Sequence, residues 1–285
     1  METANMGFMG ILNSAQKKAA EIVVAEQGDY IGEDGLLHCG KCRTPKQGRY
    51  EMPWGTVTPM VLCKCMQERL DRENEERRLA ELRRQIAEYR RIGFPESKMQ
   101  EWTFENANGA NEKVISAMRN YVAKFDEFRS RGKGLLLYGE VGTGKSFAAA
   151  CVANALIDEG IPVLMTNFIR IANTLGGMWE GKQEYYDRLN DFPLLILDDL
   201  AAERKTEYMA EIVFNVIDAR YRAGLPLIVT TNLTGDELQS ATDMTYKRAF
   251  SRLYEMCVPV KVEGKDRRAE TLRTDIGEMR DMLGI

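Results

Sequence analysis

The sequence is poor in histidine and proline, and it has no long apolar run. One histidine and eight prolines occur among 285 residues, and no apolar stretch approaches the roughly 20 residues of a membrane span. The opening METANMGFMGIL breaks off into polar NSAQKK, so the basic segment and long apolar core of a secretion signal are missing. These absences predict a cytoplasmic protein with no membrane partner.

An excess of positive charge is missing as well. The chain carries 39 basic and 43 acidic side chains, a net charge of −4. A chain with this balance has no general attraction to nucleic acid, so any contact with DNA has to come from a local patch. Hydrophobic residues make up 44% of the chain, which is ordinary for a globular protein and sufficient for a core.

The six cysteines are unevenly distributed. Cys151 and Cys257 stand alone in apolar surroundings, and the other four lie within residues 39–65, a segment rich in glycine and proline. These four are Cys39, Cys42, Cys63 and Cys65. Four thiolates can supply a tetrahedral zinc site that orders such a segment. Two alternatives stay open: unligated thiols, or His38 in place of one cysteine, because Cys63-x-Cys65 departs from the usual two-residue gap.

A highly charged segment follows the cysteines. Residues 67–92 predict a helix in which Leu79, Leu82, Ile86 and Tyr89 recur at three- and four-residue spacing. This stripe fits a solvated connector helix or a short coiled-coil contact. We therefore predict an N-terminal domain over 1–66, a helical linker over 67–94 and a larger domain over 95–285.

Short apolar runs alternate with helical patterns in the third region. The runs are GLLLYG, IPVLMTN, PLLILDD, LPLIVTTN and CVPVKVEG. Runs without polar alternation suit strands that are buried on both faces. Their alternation with helices predicts an α/β fold with a parallel sheet.

One stretch matches the phosphate-binding motif G-x-x-x-x-G-K-[ST] in full, between a predicted strand and a predicted helix. Its glycines let backbone N–H groups close around phosphate oxygens. Lys145 is expected to reach the β- and γ-phosphates of ATP, and Ser146 to coordinate Mg²⁺. The motif consists of Gly139, Glu140, Val141, Gly142, Thr143, Gly144, Lys145 and Ser146.

Polar residues end two further predicted strands. PLLILDD ends at Asp198 and Asp199, which we interpret as the magnesium residue and the base that activates water. LPLIVTTN ends at Asn232, a candidate for holding the attacking water against the γ-phosphate. Alone, Asn232 would read as an ordinary turn residue, and the order of the three motifs favours the functional interpretation.

Two arginines lie one turn apart in KRAFSRLYEMC, residues 247–257. Arg248 and Arg252 follow Asn232 by about 15 to 20 residues in the printed sequence. A solvated helix face would explain them. Phosphoryl transfer, however, builds negative charge on the γ-phosphate, and an arginine from a neighbouring subunit can stabilise it. This interpretation predicts self-association into a head-to-tail ring or spiral.

With these elements in order, residues 95–270 resemble the AAA+ ATPases of the bacterial helicase-loader group, the DnaC/DnaI-like and IstB-like proteins. The matching stretches are TFEN (103–106), LYGEVGTGKS (137–146), LLILDDLAAE (194–203), TTN (230–232) and KRAFSRL (247–253). The resemblance implies a five-stranded sheet of order 5-1-4-3-2. It also implies that Asn232 is sensor 1 and that Arg252 is the arginine finger, with Arg248 one turn before it.

Some features depart from the group. Asp199 stands where many AAA+ enzymes have glutamate, so turnover is expected to be slow. About 23 residues follow the last predicted strand, which leaves little or no C-terminal lid. A sensor-2-type arginine would then have to be Arg268 or its neighbour Arg267.

The segment 168–190 is the region with which related loaders line a channel for single-stranded DNA. Arg170, Lys182 and Arg188 are candidates for phosphate contacts. The candidates for stacking on bases are Trp179, Tyr185 and Tyr186. The alternative is that these aromatic residues pack on the sheet.

The resemblance implies a bacterial or phage ATPase that uses ATP to load a hexameric replicative DNA helicase onto single-stranded DNA. Some helicase loaders grip the helicase with an N-terminal zinc-binding domain, and the four cysteines fit that plan. Two alternatives stay open: an IstB-type ATPase helper of DNA transposition, and a nucleotide-gated adaptor without significant turnover.

Overall fold

The structure is a computed structural model, and it describes residues 26–107, 111–200, 206–234, 236–237, 243–264, 266, 276, 279–280 and 282–283. The chain divides into two units, Met1–Leu82 and Arg83–Ile285. None of the described helices combines the length and the apolar character needed to cross a membrane.

The first unit contains two small antiparallel hairpins and the start of a long helix. The elements are β1 (Tyr30–Ile31), β2 (Leu37–His38), β3 (Tyr50–Met52), β4 (Gly55–Val57) and α1 (Lys64–Gly93). β1 pairs with β2, and β3 pairs with β4. Among the residues of this unit that the structure describes, the buried hydrophobic cluster consists of Cys39, Cys63 and Met66. So small a cluster cannot hold the hairpins by apolar burial alone.

A buried ion pair joins the loops of this unit. Lys46 is 1% exposed, and its Nζ lies 2.6 Å from Oδ2 of Asp29. The backbone N–H groups of Glu26 and Gly40 also donate to this carboxylate, at 2.8 and 3.0 Å. The hydrogen bond from Lys46, followed by those from Glu26 and Gly40, lowers the pKa of Asp29 to about 2. The carboxylate thus ties three separate points of the chain together.

Helix α1 covers the segment that the sequence predicts as a linker. Ile86 and Tyr89 pack on the core of the second unit, and Arg90 forms an ion pair with Asp158 at 2.5 Å. Leu79 and Leu82 are 40% and 39% exposed. The predicted stripe is therefore split, since only its C-terminal half is covered. The predicted boundaries at 66 and 94 stay predictions, because α1 runs through the first and ends just short of the second.

A five-stranded parallel sheet forms the centre of the second unit. The strands are β5 (Gly134–Tyr138), β6 (Val163–Asn167), β7 (Leu194–Leu200), β8 (Leu227–Thr231) and β9 (Cys257–Lys261). Their order is β6-β7-β8-β5-β9, and every pairing is parallel. Counted within this sheet the order is 2-3-4-1-5, which is 5-1-4-3-2 read from the other edge. The predicted topology is confirmed.

Helices cover both faces of the sheet. The helices are α2 (Glu112–Ala123), α3 (Phe125–Ser130), α4 (Lys145–Asp158), α5 (Phe168–Gly176), α6 (Lys182–Leu189), α7 (Glu207–Ala223) and α8 (Met244–Met256). α2 and α4 pack on one face, and α5 to α8 pack on the other. Leu135 and Leu137 of β5 belong to the first core and Leu136 to the second. Burial on both faces explains why the strands read as unbroken apolar runs.

A fully buried arginine joins the end of α7 to the starts of two strands. The guanidinium of Arg220 donates to the carbonyls of Leu189, Phe192, Pro193 and Pro226 at 2.6–3.3 Å. These carbonyls precede β7 and β8, so a single side chain satisfies backbone acceptors that have no strand partner.

Strand β9 is an edge of the sheet and contains a proline. Among the described strands it pairs with β5 alone, and Pro259 lies opposite Leu136 in that pairing. Val258, the residue before this proline, is 47% exposed. Proline is tolerated in an edge strand where its missing N–H faces away from the sheet.

Candidate nucleotide and metal sites

The predicted nucleotide residues meet at one end of the sheet. β8 lies between β5 and β7, and all three strands run in the same direction. Their carboxyl ends therefore bring together the phosphate-binding loop after β5, the two aspartates at the end of β7 and Asn232 after β8. Ligands of open α/β sheets bind in this position.

The loop between β5 and α4 requires glycine at defined points. Gly139 has φ 145° and Gly144 has φ 94°, conformations that L-residues with a Cβ rarely adopt. A Cβ on Gly139 would lie 2.3 Å from the carbonyl oxygen of Val262. Gly144 is the N-cap of α4, which starts at Lys145. The loop thus passes directly into a helix N-terminus, an arrangement suited to binding phosphate.

The ammonium group of Lys145 is held inside the loop. The residue is 6% exposed, and its Nζ donates to the carbonyls of Gly139 and Glu140 at 2.9 and 2.7 Å. The hydroxyl of Thr143 donates to the carbonyl of Glu140 at 2.8 Å. Phosphate oxygens are charged acceptors and would form stronger hydrogen bonds with this ammonium than neutral carbonyls do.

Strand β7 ends in a bulge that contains both aspartates. The register of β7 against β8 shifts between Leu197 and Leu200. Over this interval β7 contributes Asp198 and Asp199, whereas β8 contributes Thr230 alone. Asp199 has φ 61°, a left-handed conformation that is uncommon outside glycine and is often associated with function. The bulge places both aspartates opposite Thr230.

Thr230 connects these aspartates, a role that the sequence motifs do not assign to it. Its buried hydroxyl donates to Oδ1 of Asp198 at 2.6 Å and accepts from the backbone N–H of Asp199 at 2.8 Å. Nδ2 of Asn232 donates to Oδ1 of Asp199 at 3.1 Å. The magnesium candidate, the base candidate and the sensor candidate thus form one hydrogen-bonded group. The sequence feature that could have indicated this role is the position of Thr230, two residues before Asn232 on the strand that pairs with β7.

Two aromatic residues next to the phosphate loop were also missed. Phe147 directly follows Ser146, and its ring centroid lies 6.0 Å from that of Trp102 at an interplanar angle of 45°. Both side chains are half-buried. Nδ2 of Asn154 donates to the carbonyls of Met99 and Trp102 at 2.9 and 3.0 Å, which fixes this segment on α4. Both rings also pack against the first core, and their place next to the phosphate loop makes them candidates for contact with the nucleotide base.

The two arginines of α8 differ in their surroundings. Arg252 forms an ion pair with Asp218 of α7, and its guanidinium carbon lies 4.6 Å from the ring centroid of Phe214. Arg248 is exposed and has no ion pair within the described part of the chain. Arg267 and Arg268, the sensor-2 candidates, lie outside the described residues. So does most of the segment after β9, so the expectation of little or no C-terminal lid stays a prediction.

The segment 168–190 forms α5, α6 and the turn between them. Tyr186 is 8% exposed, so it is not available for stacking on a base, whereas Trp179 is 99% exposed. Tyr185 packs partly buried against the same core as Tyr186. The packing alternative therefore holds for both tyrosines. Arg170, Lys182 and Arg188 are exposed, and their contact with DNA stays a prediction.

The four predicted cysteines come together in the first unit. The sulfur atoms of Cys39, Cys42, Cys63 and Cys65 all lie within 4.8 Å of one another. Sγ of Cys65 is 3.5 Å from that of Cys63 and 3.6 Å from that of Cys39. A tetrahedral zinc with bonds of about 2.3 Å would hold its sulfurs roughly 3.8 Å apart. The cluster therefore fits zinc, and none of its cysteines forms a disulfide.

Hydrogen bonds shift the pKa values of these thiols in opposite directions. The hydroxyl of Thr44, 3.0 Å from Sγ of Cys42, makes the largest contribution to lowering the pKa of Cys42 to about 5. The side-chain hydrogen bond with Cys63 makes the largest contribution to raising the pKa of Cys65 to about 12. Sulfurs packed this closely cannot all carry charge without a cation to neutralise them.

His38 is not part of the cluster. Its Nε2 lies 3.0 Å from both carboxylate oxygens of Asp34, and its Nδ1 lies 3.2 Å from the carbonyl of Arg43. Both ring nitrogens therefore have other partners. The alternative in which His38 replaces a cysteine is wrong in this structure.

Comparison with known proteins identifies the sequence family and supports the fold. The family model described as IstB-like ATP binding protein matches residues 58–274. The replicative helicase loader DnaI of Bacillus subtilis is 29% identical over 169 residues, 54% of this chain and 53% of that protein. An insertion-sequence ATP-binding protein of Sinorhizobium fredii is 34% identical over 121 residues, 42% of this chain and 40% of that protein.

A solved structure shows the same fold. A crystal structure of DnaI superimposes with a TM-score of 0.51 at 21% identity and covers 63% of this chain and 98% of that chain. At this identity the likeness shows the fold alone. The chain spans 53% and 40% of the lengths of the two curated relatives named above.

Proposed function

Because the chain belongs to the family of IstB-like ATP binding proteins, we propose that it is an ATPase that loads a replicative DNA helicase onto single-stranded DNA. The observation that carries the proposal is the combination of two sites in one chain. One is the group formed by the phosphate loop, the bulge aspartates and Asn232. The other is the four-thiol cluster, for which a helper of transposition has no evident need.

Each residue of the nucleotide site has a role in this proposal. Lys145 binds the β- and γ-phosphates, while Ser146 and Asp198 hold Mg²⁺. A Mg²⁺ held by these two residues would neutralise charge on the phosphates. Asn232 orients the attacking water and Asp199, to which its amide donates a hydrogen bond, accepts the proton of that water. Arg252 of an adjacent protomer stabilises the charge on the γ-phosphate, so hydrolysis requires self-association.

The remaining parts bind the partners. Residues 1–66 form the helicase-binding domain, which zinc orders through the four cysteines, and residues 67–94 connect it to the ATPase domain 95–285. Single-stranded DNA contacts the α5–α6 segment, where Trp179 stacks on a base and Arg170 and Lys182 meet phosphates. We place the protein in the cytoplasm of a bacterium, or of a bacterium infected by the phage that encodes it.

Native mass spectrometry tests this function. The full chain is mixed with the replicative helicase of its host, with and without ATP, and a complex of defined stoichiometry is expected. The double variant Cys39→Ser/Cys42→Ser should lose the complex, because the zinc-ordered domain no longer forms. Lys41→Ala is the matched control, since Lys41 lies between the two cysteines and contributes no ligand. No complex with the wild type would contradict the proposal.

A transposition helper is the second candidate. It is favoured by the 34% identity to an insertion-sequence ATP-binding protein, which exceeds the identity to the helicase loader. This candidate predicts ATP-dependent assembly on duplex DNA and no complex with the helicase. The same preparation, incubated with a duplex of mixed sequence in place of the helicase, separates the two functions.

A further inference from the structure

Arg252 lies in a pocket formed by three side chains of α7. Its guanidinium forms an ion pair with Asp218, and the guanidinium carbon lies 4.6 Å from the ring centroid of Phe214 and 5.6 Å from that of Tyr221. The hydroxyl of Tyr221 donates to Oε2 of Glu255 at 2.7 Å, which fixes that ring. A carboxylate and two aromatic rings thus determine where the guanidinium lies.

One edge of this guanidinium is fixed while another part of the side chain faces solvent. Nη1 of Arg252 and Oδ1 of Asp218 are both shielded from solvent, and neither atom has another hydrogen-bond partner in the part of the chain that the structure describes. The side chain of Arg252 is nevertheless 25% exposed. The arginine can therefore contact a second molecule without leaving Asp218.

Arg248 shows the contrast on the same helix. It is exposed and has no ion pair in the described residues, so its long side chain keeps many rotamers. Ordering such a side chain in an interface costs about 0.5–1.5 kcal/mol. For Arg252 this ordering is already achieved within the folded chain, which makes it the better preorganised of the two arginines.

We propose that Asp218 is a positioning residue that holds Arg252 ready to enter the nucleotide site of a second copy of the chain. This inference rests on the proposed ATPase function and extends it to a residue outside every motif. Asp218 is only 13% exposed, and its other oxygen, Oδ2, accepts from Arg222 at 2.9 Å. The carboxylate therefore stays anchored while Arg252 meets the phosphate of the neighbouring protomer.

Steady-state ATP hydrolysis by the full chain, with a thymidine oligonucleotide present, tests the assignment. Asp218→Asn should lower kcat about ten- to a hundredfold, the effect of a misplaced catalytic group, and leave KM for ATP within about twofold. Asp218→Glu should recover part of the rate. Glu211→Gln should match the wild type, since Glu211 is an exposed carboxylate two turns before Asp218 on α7.

A double variant separates positioning from a general structural effect. If Asp218 acts through Arg252, Asp218→Asn in an Arg252→Ala background should reduce kcat no further. An equal additional loss, or a gain of activity in Asp218→Asn alone, would overturn the assignment.

Mixing two impaired variants tests whether the arginine acts on a second copy. Asp218→Asn retains an intact nucleotide site, and Asp199→Asn retains an intact Arg252. Their mixture should hydrolyse ATP faster than the sum of the separate proteins. A rate equal to that sum would contradict action between copies.

Failure of the inference and failure of the proposed function give different results. If the wild type does not hydrolyse ATP, the proposed ATPase function is contradicted, but the inference about Asp218 is not. In that case sedimentation velocity with a non-hydrolysable ATP analogue decides, and Asp218→Asn should require a higher protein concentration to assemble than the wild type. Unchanged assembly would overturn the inference.

Discussion

Asp199 occupies a backbone conformation that a residue with a side chain adopts at a cost of about 1–2 kcal/mol. Two hydrogen bonds offset the cost of its φ of 61°. The N–H of Asp199 donates to the hydroxyl of Thr230, and the carboxylate of Asp199 accepts from Asn232. Without these two hydrogen bonds the bulge would be less stable. The orientation of the base candidate therefore depends on a neighbouring strand as much as on its own.

Substitution of Thr230 tests this dependence. Thr230→Val has nearly the same shape but leaves the N–H of Asp199 without its acceptor, which should lower the free energy of unfolding by about 1–3 kcal/mol. Because Asp198 also loses its donor, the Mg²⁺ concentration for half-maximal hydrolysis should rise and kcat should fall about a hundredfold. Magnesium titrations of ATP hydrolysis provide the measurement.

Thr230→Ser is the matched control for this experiment. It keeps the hydroxyl and should retain most of the activity and the magnesium dependence of the wild type. Hydrolysis by Thr230→Val at the wild-type rate would show that the aspartates hold their positions unaided.

At the scale of elements, α7 is joined to the sheet by Arg220 rather than by apolar contact alone. The guanidinium is 0% exposed and satisfies four carbonyls at the starts of β7 and β8. Lysine carries three donors on one nitrogen and cannot reproduce this planar fork. We expect Arg220→Lys to reduce the free energy of unfolding by about 3 kcal/mol, measured by urea denaturation followed by circular dichroism.

Arg222→Lys is the control on the same helix. Arg222 is 75% exposed and pairs with Asp218, so its replacement should change stability by less than about 0.5 kcal/mol. If Arg220→Lys were as stable as this control, the carbonyls would have to find other donors.

The strands were predictable from the sequence, whereas the bulge and the arginine pocket were not. Residues 194–197 form an apolar run that is buried on both faces, and such runs carry their own signal. The bulge at Asp198 and Asp199 arises from the register against Thr230, which is decided by strand pairing. The pairing of Arg252 with Asp218 likewise depends on how α7 packs against α8. Spacing within one helix contains no information about either.

At the scale of the whole molecule, the two units depend on different forces. The second unit has two extensive buried cores, whereas the first has, in its described residues 26–82, a buried cluster of Cys39, Cys63 and Met66. Removal of zinc by a strong chelator should therefore abolish hydrogen-exchange protection in residues 26–63 and leave the sheet protected. Hydrogen exchange with mass spectrometry measures both units in one sample.

The same measurement decides between zinc and unligated thiols. Protection of residues 26–63 that is insensitive to the chelator would mean that the Asp29–Lys46 ion pair and the hairpins hold this unit without metal. Readdition of zinc to the chelated sample should restore protection, which distinguishes metal loss from irreversible damage.

Pro259 has a consequence for how copies of the chain can aggregate or assemble. An edge strand with a complete row of outward donors and acceptors is a template for amyloid-like growth, in which sheets of successive molecules fuse. The proline interrupts the donors of β9 near its middle, so sheet fusion is disfavoured at this edge. A filament or ring of this protein should therefore grow through helical surfaces, such as the one that presents Arg252, and should remain reversible when nucleotide is removed.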